Sequence, residues 1–137
     1  MTIADTSGLL ALFNRAEPAH AAVVDVVAQQ PEPLVVPPYV VAELDYLVAT
    51  RLGVAAELAV LRELAGGAYE LPAMAATDVA AAAELVAQYE DQQIGLTDAS
   101  ILVLAARYST RDVLTLDRRH FDVLRLSDGS PVRVLPG

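Results

Sequence analysis

Short apolar runs alternate along this chain with longer segments of helical character, and that alternation constrains the fold more than any other feature. The first run, residues 2–4, ends at Asp5-Thr6-Ser7, where cap-forming residues open a helix carrying Leu9, Leu10, Leu12 and Phe13. A second helix is expected from Glu17-Pro18 to near Gln30, then a strand at 34–36 held between Pro31/Pro33 and Pro37-Pro38. Helices follow at about 39–51 and 54–65, with Gly66-Gly67 ending the second before a short strand at 69–71. Residues 77–92 are Ala-rich and helical, and Gly95 separates them from a helix that begins at Thr97-Asp98 and runs to about Ser109. A strand at 113–116 ends at Asp117, a helical turn covers 118–124, and Asp128-Gly129 turns into a last strand at 132–135. Short strands separated by helices imply an α/β fold, a short and mostly parallel central sheet flanked by helices in a three-layer sandwich.

A chain of 137 residues holds one ordinary core, so a single domain over 1–137 is expected. Hydrophobic residues make up 55% of it, yet Asp, Glu or Arg interrupts every run before a membrane-spanning length is reached. The start, Met-Thr-Ile-Ala-Asp, lacks the basic flank and apolar stretch of a secretory signal, and no cysteine is present, so a cytoplasmic location without membrane contact is expected. Net charge is −9 and all nine basic residues are arginine, which excludes lysine-based chemistry. Such a chain repels a polyanion unless cations are recruited, which points to a basic partner or a bound divalent metal. Arginines 107, 111, 118, 119, 125 and 133 concentrate the positive charge toward the C-terminus.

In open α/β sheets the chemistry sits beyond the carboxyl ends of the strands, where Asp5 and Asp117 both fall. On the 39–51 helix, Val40, Leu44, Leu47 and Val48 form the apolar arc, with Glu43 at its inner edge and Asp45 on the far side. On the 98–109 helix Asp98 lies in the middle of the face made by Ile101, Leu102 and Ala105, and Val103 and Leu104 point elsewhere, so the helix is expected to be buried nearly all round. Each acid alone has a plainer explanation. Asp5 and Asp98 could cap helices, Asp117 the following turn, and Glu43 could pair with Arg15 or Arg107. Together, four inward carboxylates repel and raise one another's pKa unless cations compensate. An oxygen-only donor set without cysteine favours Mg²⁺, with Mn²⁺ able to substitute, over zinc; His20 and His120 lack a spacing partner and are expected at the surface.

Four segments in this order, Ile3-Ala4-Asp5-Thr6-Ser7, Pro38-Tyr39-Val40-Val41-Ala42-Glu43-Leu44, Leu96-Thr97-Asp98-Ala99 and Leu114-Thr115-Leu116-Asp117-Arg118-Arg119-His120-Phe121, resemble the PIN-domain ribonucleases, specifically the toxin half of VapBC toxin–antitoxin pairs. The resemblance implies a PIN-like fold, metal binding and catalysis by Asp5, Glu43, Asp98 and Asp117, with Thr6 and Thr115 lining the site, a homodimer, and a cognate VapB-type antitoxin as protein partner. It departs at His120, where many relatives carry a further aspartate. The implied reaction is metal-dependent endonucleolytic hydrolysis of a structured RNA, transfer RNA or ribosomal RNA. Glu43-Leu44-Asp45-Tyr46-Leu47 and Arg62-Glu63-Leu64-Ala65-Gly66-Gly67 lean toward cleavage of the sarcin–ricin loop. Arg118 and Arg119, beside Asp117, are candidates for RNA phosphates, against the alternative of a solvated turn. Three other functions compete. A DNA nuclease of related architecture usually carries extra helical or basic elements, for which a short, acidic chain leaves little room. A Mg²⁺-dependent aspartate phosphotransfer domain also places acids at strand ends but relies on a lysine, which is absent. A non-catalytic PIN-fold binding protein is disfavoured by the intact set of four acids.

Overall fold

The computed structural model describes residues 1–137. Strands β1 (Thr2–Ala4), β2 (Asp112–Leu114) and β3 (Arg133–Leu135) form a parallel sheet in that order, with Ile3 opposite Val113 and Val113 opposite Val134. All three β1 side chains are buried, so both faces of the sheet are covered, as parallel strands between helical layers require. The expected strands around Val35 and Glu70 are single parallel bridges, Val35 to Ile3 and Glu70 to Val35, rather than full strands. Proline explains their brevity. Pro33 and Pro37 on either side of Val35, and Pro72 beyond Glu70, have no N–H to extend a ladder. Two bonds between Val35 and β1, at 2.8 and 2.9 Å, and two between this segment and Glu70, at the same lengths, still align five segments in parallel.

The helices are α1 (Thr6–Phe13), α2 (His20–Ala28), α3 (Pro38–Leu52), α4 (Val54–Ala65), α5 (Ala76–Gln88), α6 (Gly95–Arg107) and the short α7 (Arg118–Phe121). The Ala-rich segment is divided: α5 stops at Gln88 and a 3₁₀ turn covers Glu90–Gln92. Helix α1 packs on α2 and α3, α4 folds back on α3, and α5 packs on α6, which reaches both α3 and β1. One core of 26 buried hydrophobic residues joins these layers. Helix α6 runs through its middle with Ala99, Ile101, Leu102, Leu104 and Ala105 buried, the all-round burial its sequence implies.

Two glycines determine how the site is framed. A Cβ on Gly8 would lie 2.6 Å from the Leu114 carbonyl oxygen, so only glycine lets α1 lie this close to β2. Gly95, at φ +75°, turns the chain into α6 two residues before the expected start. Asp98 therefore sits inside the first turn instead of at the N-cap. No helix is long and apolar enough to cross a membrane.

Candidate active site

One cavity of about 580 Å³ lies at the carboxyl ends of β1 and β2, and Asp5, Glu43, Asp98 and Asp117 all line it. They come from four separate segments: the end of β1, the middle of α3, the first turn of α6 and the N-cap of α7.

Asp5 occupies the N-cap position of α1 with extended backbone, yet its side chain makes no capping bond. Its Oδ2 instead accepts from Thr115 Oγ1 at 2.8 Å and from Ser7 Oγ at 3.3 Å. Thr115, whose hydroxyl donates to Asp5, accepts from the Asp117 N–H at 2.9 Å, and Ser7 Oγ accepts from the Leu116 N–H at 2.9 Å. This network ties the end of β1 to the chain leaving β2, across the contact that Gly8 permits. Thr6 is buried with its Oγ1 unpartnered, and it lines the cavity.

Burial pushes the Asp5 carboxyl up, opposed by the bonds from Thr115, the Thr6 backbone and Ser7, while the Glu43 charge raises it further. Asp98 is pushed from 3.8 to about 6, first by burial and then by the Asp5 charge, with His120 pulling it back and Asp117 adding to the rise. Asp5 thus feels the charge of Glu43, and Asp98 those of Asp5 and Asp117. Glu43 is exposed toward the cavity, with Thr97 Oγ1 donating to its Oε2 at 3.5 Å. Asp117 is half-buried and caps α7, accepting the His120 N–H at 3.4 Å.

Several expectations are corrected. His120 is not a surface residue: its Nδ1 is 2.8 Å from Asp98 Oδ2 and 3.5 Å from Asp117 Oδ2, with 15% of the side chain exposed. The cause is local, since fully buried Phe121 anchors α7 and turns its neighbour into the cavity. His20 is half-buried too, its Nδ1 bonded to the Ala11 carbonyl at 2.7 Å. Asp45 lies on the far side of α3 as expected, yet it is half-buried there. Helix α4 covers the far side of α3, where Asp45 Oδ1 is buried without a partner, and the nearby Asp45 carboxyl pushes that of Glu57 upward. Arg107 does not reach Glu43 but pairs with Asp78 at 2.7 Å. Arg118 donates to the Pro136 carbonyl at 3.1 Å and stands 3.8 Å from Asp122, away from the cavity; Arg119 does not line it either.

Sequence reasoning passed over Glu17, Arg51 and Thr97, which line the same cavity. Arg51 was legible, because Glu43, Leu47 and Arg51 recur every four residues on α3 and share one face. Glu17 precedes α2 in a loop and carries no such periodic signal.

The donor set fits a hard divalent cation. It is made of carboxylate and hydroxyl oxygens, Asp5 and Asp98 are held above their ordinary pKa by burial and by neighbouring acids, and the Thr6 hydroxyl is orphaned at the edge. No three acidic or histidine side chains are gathered closely enough to form a ready-made metal-ligand group.

Residues 2–125 match the family model of the PIN domain. The chain is 60% identical over 134 residues to Ribonuclease VapC26 of Mycobacterium tuberculosis, covering 98% of this chain and 99% of that protein. Its fold is similar to that of Mycobacterium tuberculosis VapC20, described as a sarcin–ricin loop cleaving toxin, with a TM-score of 0.79 at 19% identity over 85% of this chain and 90% of the other. It is similar also to VapBC2 from Rickettsia felis, solved with a DNA fragment from their promoter, with a TM-score of 0.67 at 16% identity over 97% of both chains. FitAcB from Neisseria gonorrhoeae gives a TM-score of 0.59 at 20% identity, over 86% of this chain and 88% of the other. At such identities these structural likenesses speak for the fold, and they bear out the α/β sandwich expected from the sequence.

Proposed function

Because this chain belongs to the PIN-domain family, in its VapC branch, we propose that it is a Mg²⁺-dependent endoribonuclease, the toxin of a toxin–antitoxin pair, acting as one domain over residues 1–137. The observation that carries the reading is the convergence of Asp5, Glu43, Asp98 and Asp117, from four segments, on one cavity at the strand ends.

A bound divalent ion would acidify a water and offset the charge that develops on the phosphate during in-line hydrolysis. Asp5 and Asp98, the two buried acids, are the first candidates to hold it, with Glu43 and Asp117 at the more open side. Thr115 and Ser7 fix the Asp5 carboxylate through Oδ2, and His120 fixes Asp98 through Oδ2, so these acids enter the reaction already oriented. Thr6 offers a further hydroxyl at the cavity wall. Arg51 is the one arginine lining the cavity and is placed to meet a substrate phosphate.

The proposed substrate is a structured RNA, the sarcin–ricin loop of ribosomal RNA being the first to test and transfer RNA the second. VapB-type antitoxin and a second copy of the chain are the proposed protein partners, and the cytoplasm the proposed location. The test is cleavage of these RNAs by the purified chain with Mg²⁺ or Mn²⁺, without metal and with EDTA. Cutting at defined positions that EDTA stops and Mn²⁺ restores is expected; cutting that persists in chelator, or no cutting of any RNA, overturns the proposal.

A further inference from the structure

His120 borders more than the carboxylate cavity. It also lines a second cavity of about 290 Å³, formed with Asp91, Gln92, Gln93 and Arg119 and containing no hydrophobic residue. Gln92 ends the 3₁₀ turn, and Gln93 takes a left-handed conformation, φ 51°, that is uncommon for any residue but glycine. Both glutamine side chains are exposed. Among the arginines, Arg107, Arg118 and Arg133 form ion pairs, and Arg119 has no acidic partner. A strained turn thus presents two amides and a free guanidinium in a polar hollow that shares one wall with the acidic centre.

We propose that this second cavity is a nucleotide subsite, the place where the residue beside the scissile phosphate is held and read; the inference rests on the ribonuclease reading above. Carboxamides both donate and accept, which matches the mixed edge of a nucleobase better than it matches a simple anion. Arg119 meets the phosphate of that nucleotide. Asp91 repels phosphate and accepts N–H groups, so the base lies toward Asp91 and the phosphate toward Arg119 and His120. A hollow of this kind accepts a base only when it is unpaired or splayed out, which is how proteins read RNA sequence.

The test uses the full chain with Mn²⁺ and a pool of RNA hairpins with randomised loops, with cut sites read by sequencing. Arg119→Ala is expected to raise KM about tenfold while kcat stays within about twofold, and to lower the slope of log KM against log salt by about 1. Arg119→Lys should restore part of the KM. Gln92→Ala and Gln93→Gly, the latter keeping the left-handed backbone available, should broaden the base preference at the nucleotide next to the cut. Thermal melting confirms that each variant is folded. Variants that cut the same sites as the parent with the parent's KM overturn the subsite alone. A parent chain that cuts no RNA overturns the ribonuclease reading and the subsite with it.

Discussion

Asp78 and Asp98 are both aspartates in the first turn of a helix, on α5 and α6, which pack against each other. The positive end of the helix dipole favours an anion at each. Their chemistry is nonetheless opposite. Asp78 accepts from the Ala75 N–H at 2.8 Å and from Arg107 at 2.7 Å, and these bonds hold its carboxyl below the usual range. Asp98 is pushed to about 6 by burial and by Asp5, against the help of His120. The dipole therefore does not decide the matter; burial and a neighbouring acid raise Asp98, whereas a backbone N–H and an arginine lower Asp78. Helix α6 carries Asp98 at one end and Arg107 at the other, and its arginine serves the neighbouring helix. Five acids, Asp5, Glu17, Glu43, Asp98 and Asp117, share their cavity with the single arginine Arg51. Negative charge left uncompensated inside, while acids outside are paired, is the condition that a bound cation relieves.

Breaking the inward side should give the largest effect. Asp5→Asn or Asp98→Asn should each lower Mg²⁺-dependent RNA cleavage by about a thousandfold or more, since a catalytic metal contributes several kcal/mol. A variant that cuts RNA as fast as the parent would remove that acid from the site. The same Asp98→Asn change should leave the metal-free protein as stable or more stable at pH 7. An acid whose folded pKa is raised loses its proton earlier in the unfolded chain, so stability is fully present below pH 3.8 and declines as pH rises toward about 6. At one pKa unit per 1.36 kcal/mol the penalty is at most roughly 3 kcal/mol, and urea melts of parent and variant at pH 4 and 7 without metal should diverge as pH rises. Added Mg²⁺ should narrow the difference. A parent stability that does not fall between those pH values would sink this account.

How far the sequence reached differs between these two regions for a physical reason. Asp5 and Asp98 were legible because strand ends and helix faces follow from local periodicity, and burial of α6 on all sides followed from its composition. The bonds that hold them were not, although the family resemblance did place Thr115 at the site. Thr115 bonds Asp5 across 110 residues, and His120 reaches Asp98 across 22, through contacts that only the folded sheet creates. Asp45 lies on the far side of α3, as its position on the helix implies, but the packing of α4 over that side does not follow from α3 alone. The strands at 34–36 and 69–71 were found in place but overestimated in length, because proline permits the extended backbone while removing ladder donors.

Gly8→Ala perturbs the inward region without touching an acid. Its Cβ would meet the Leu114 carbonyl oxygen at 2.6 Å, so α1 must move off β2 at a cost of about 1–3 kcal/mol. The Ser7–Leu116 and Asp5–Thr115 bonds cross that same contact, so cleavage should fall along with Tm, and a variant with parental activity and Tm would mean that α1 shifts freely.

The smallest effect is expected on the outward side, from Asp78→Asn. This acid is far from the carboxylate cavity, so kcat and KM on RNA should stay within about twofold of the parent. Stability should drop slightly at neutral pH, because a depressed folded pKa means the contribution is present above 3.8 and is lost as pH falls through the lower folded value. The pair with Arg107 is partly exposed, so salt should shrink the difference as well. Thermal melts of parent and variant should therefore separate at pH 7 in low salt and converge both in acid and in high salt. If the variant instead lost cleavage, or stayed less stable far below pH 3.8, the division between paired outer acids and uncompensated inner ones would not hold.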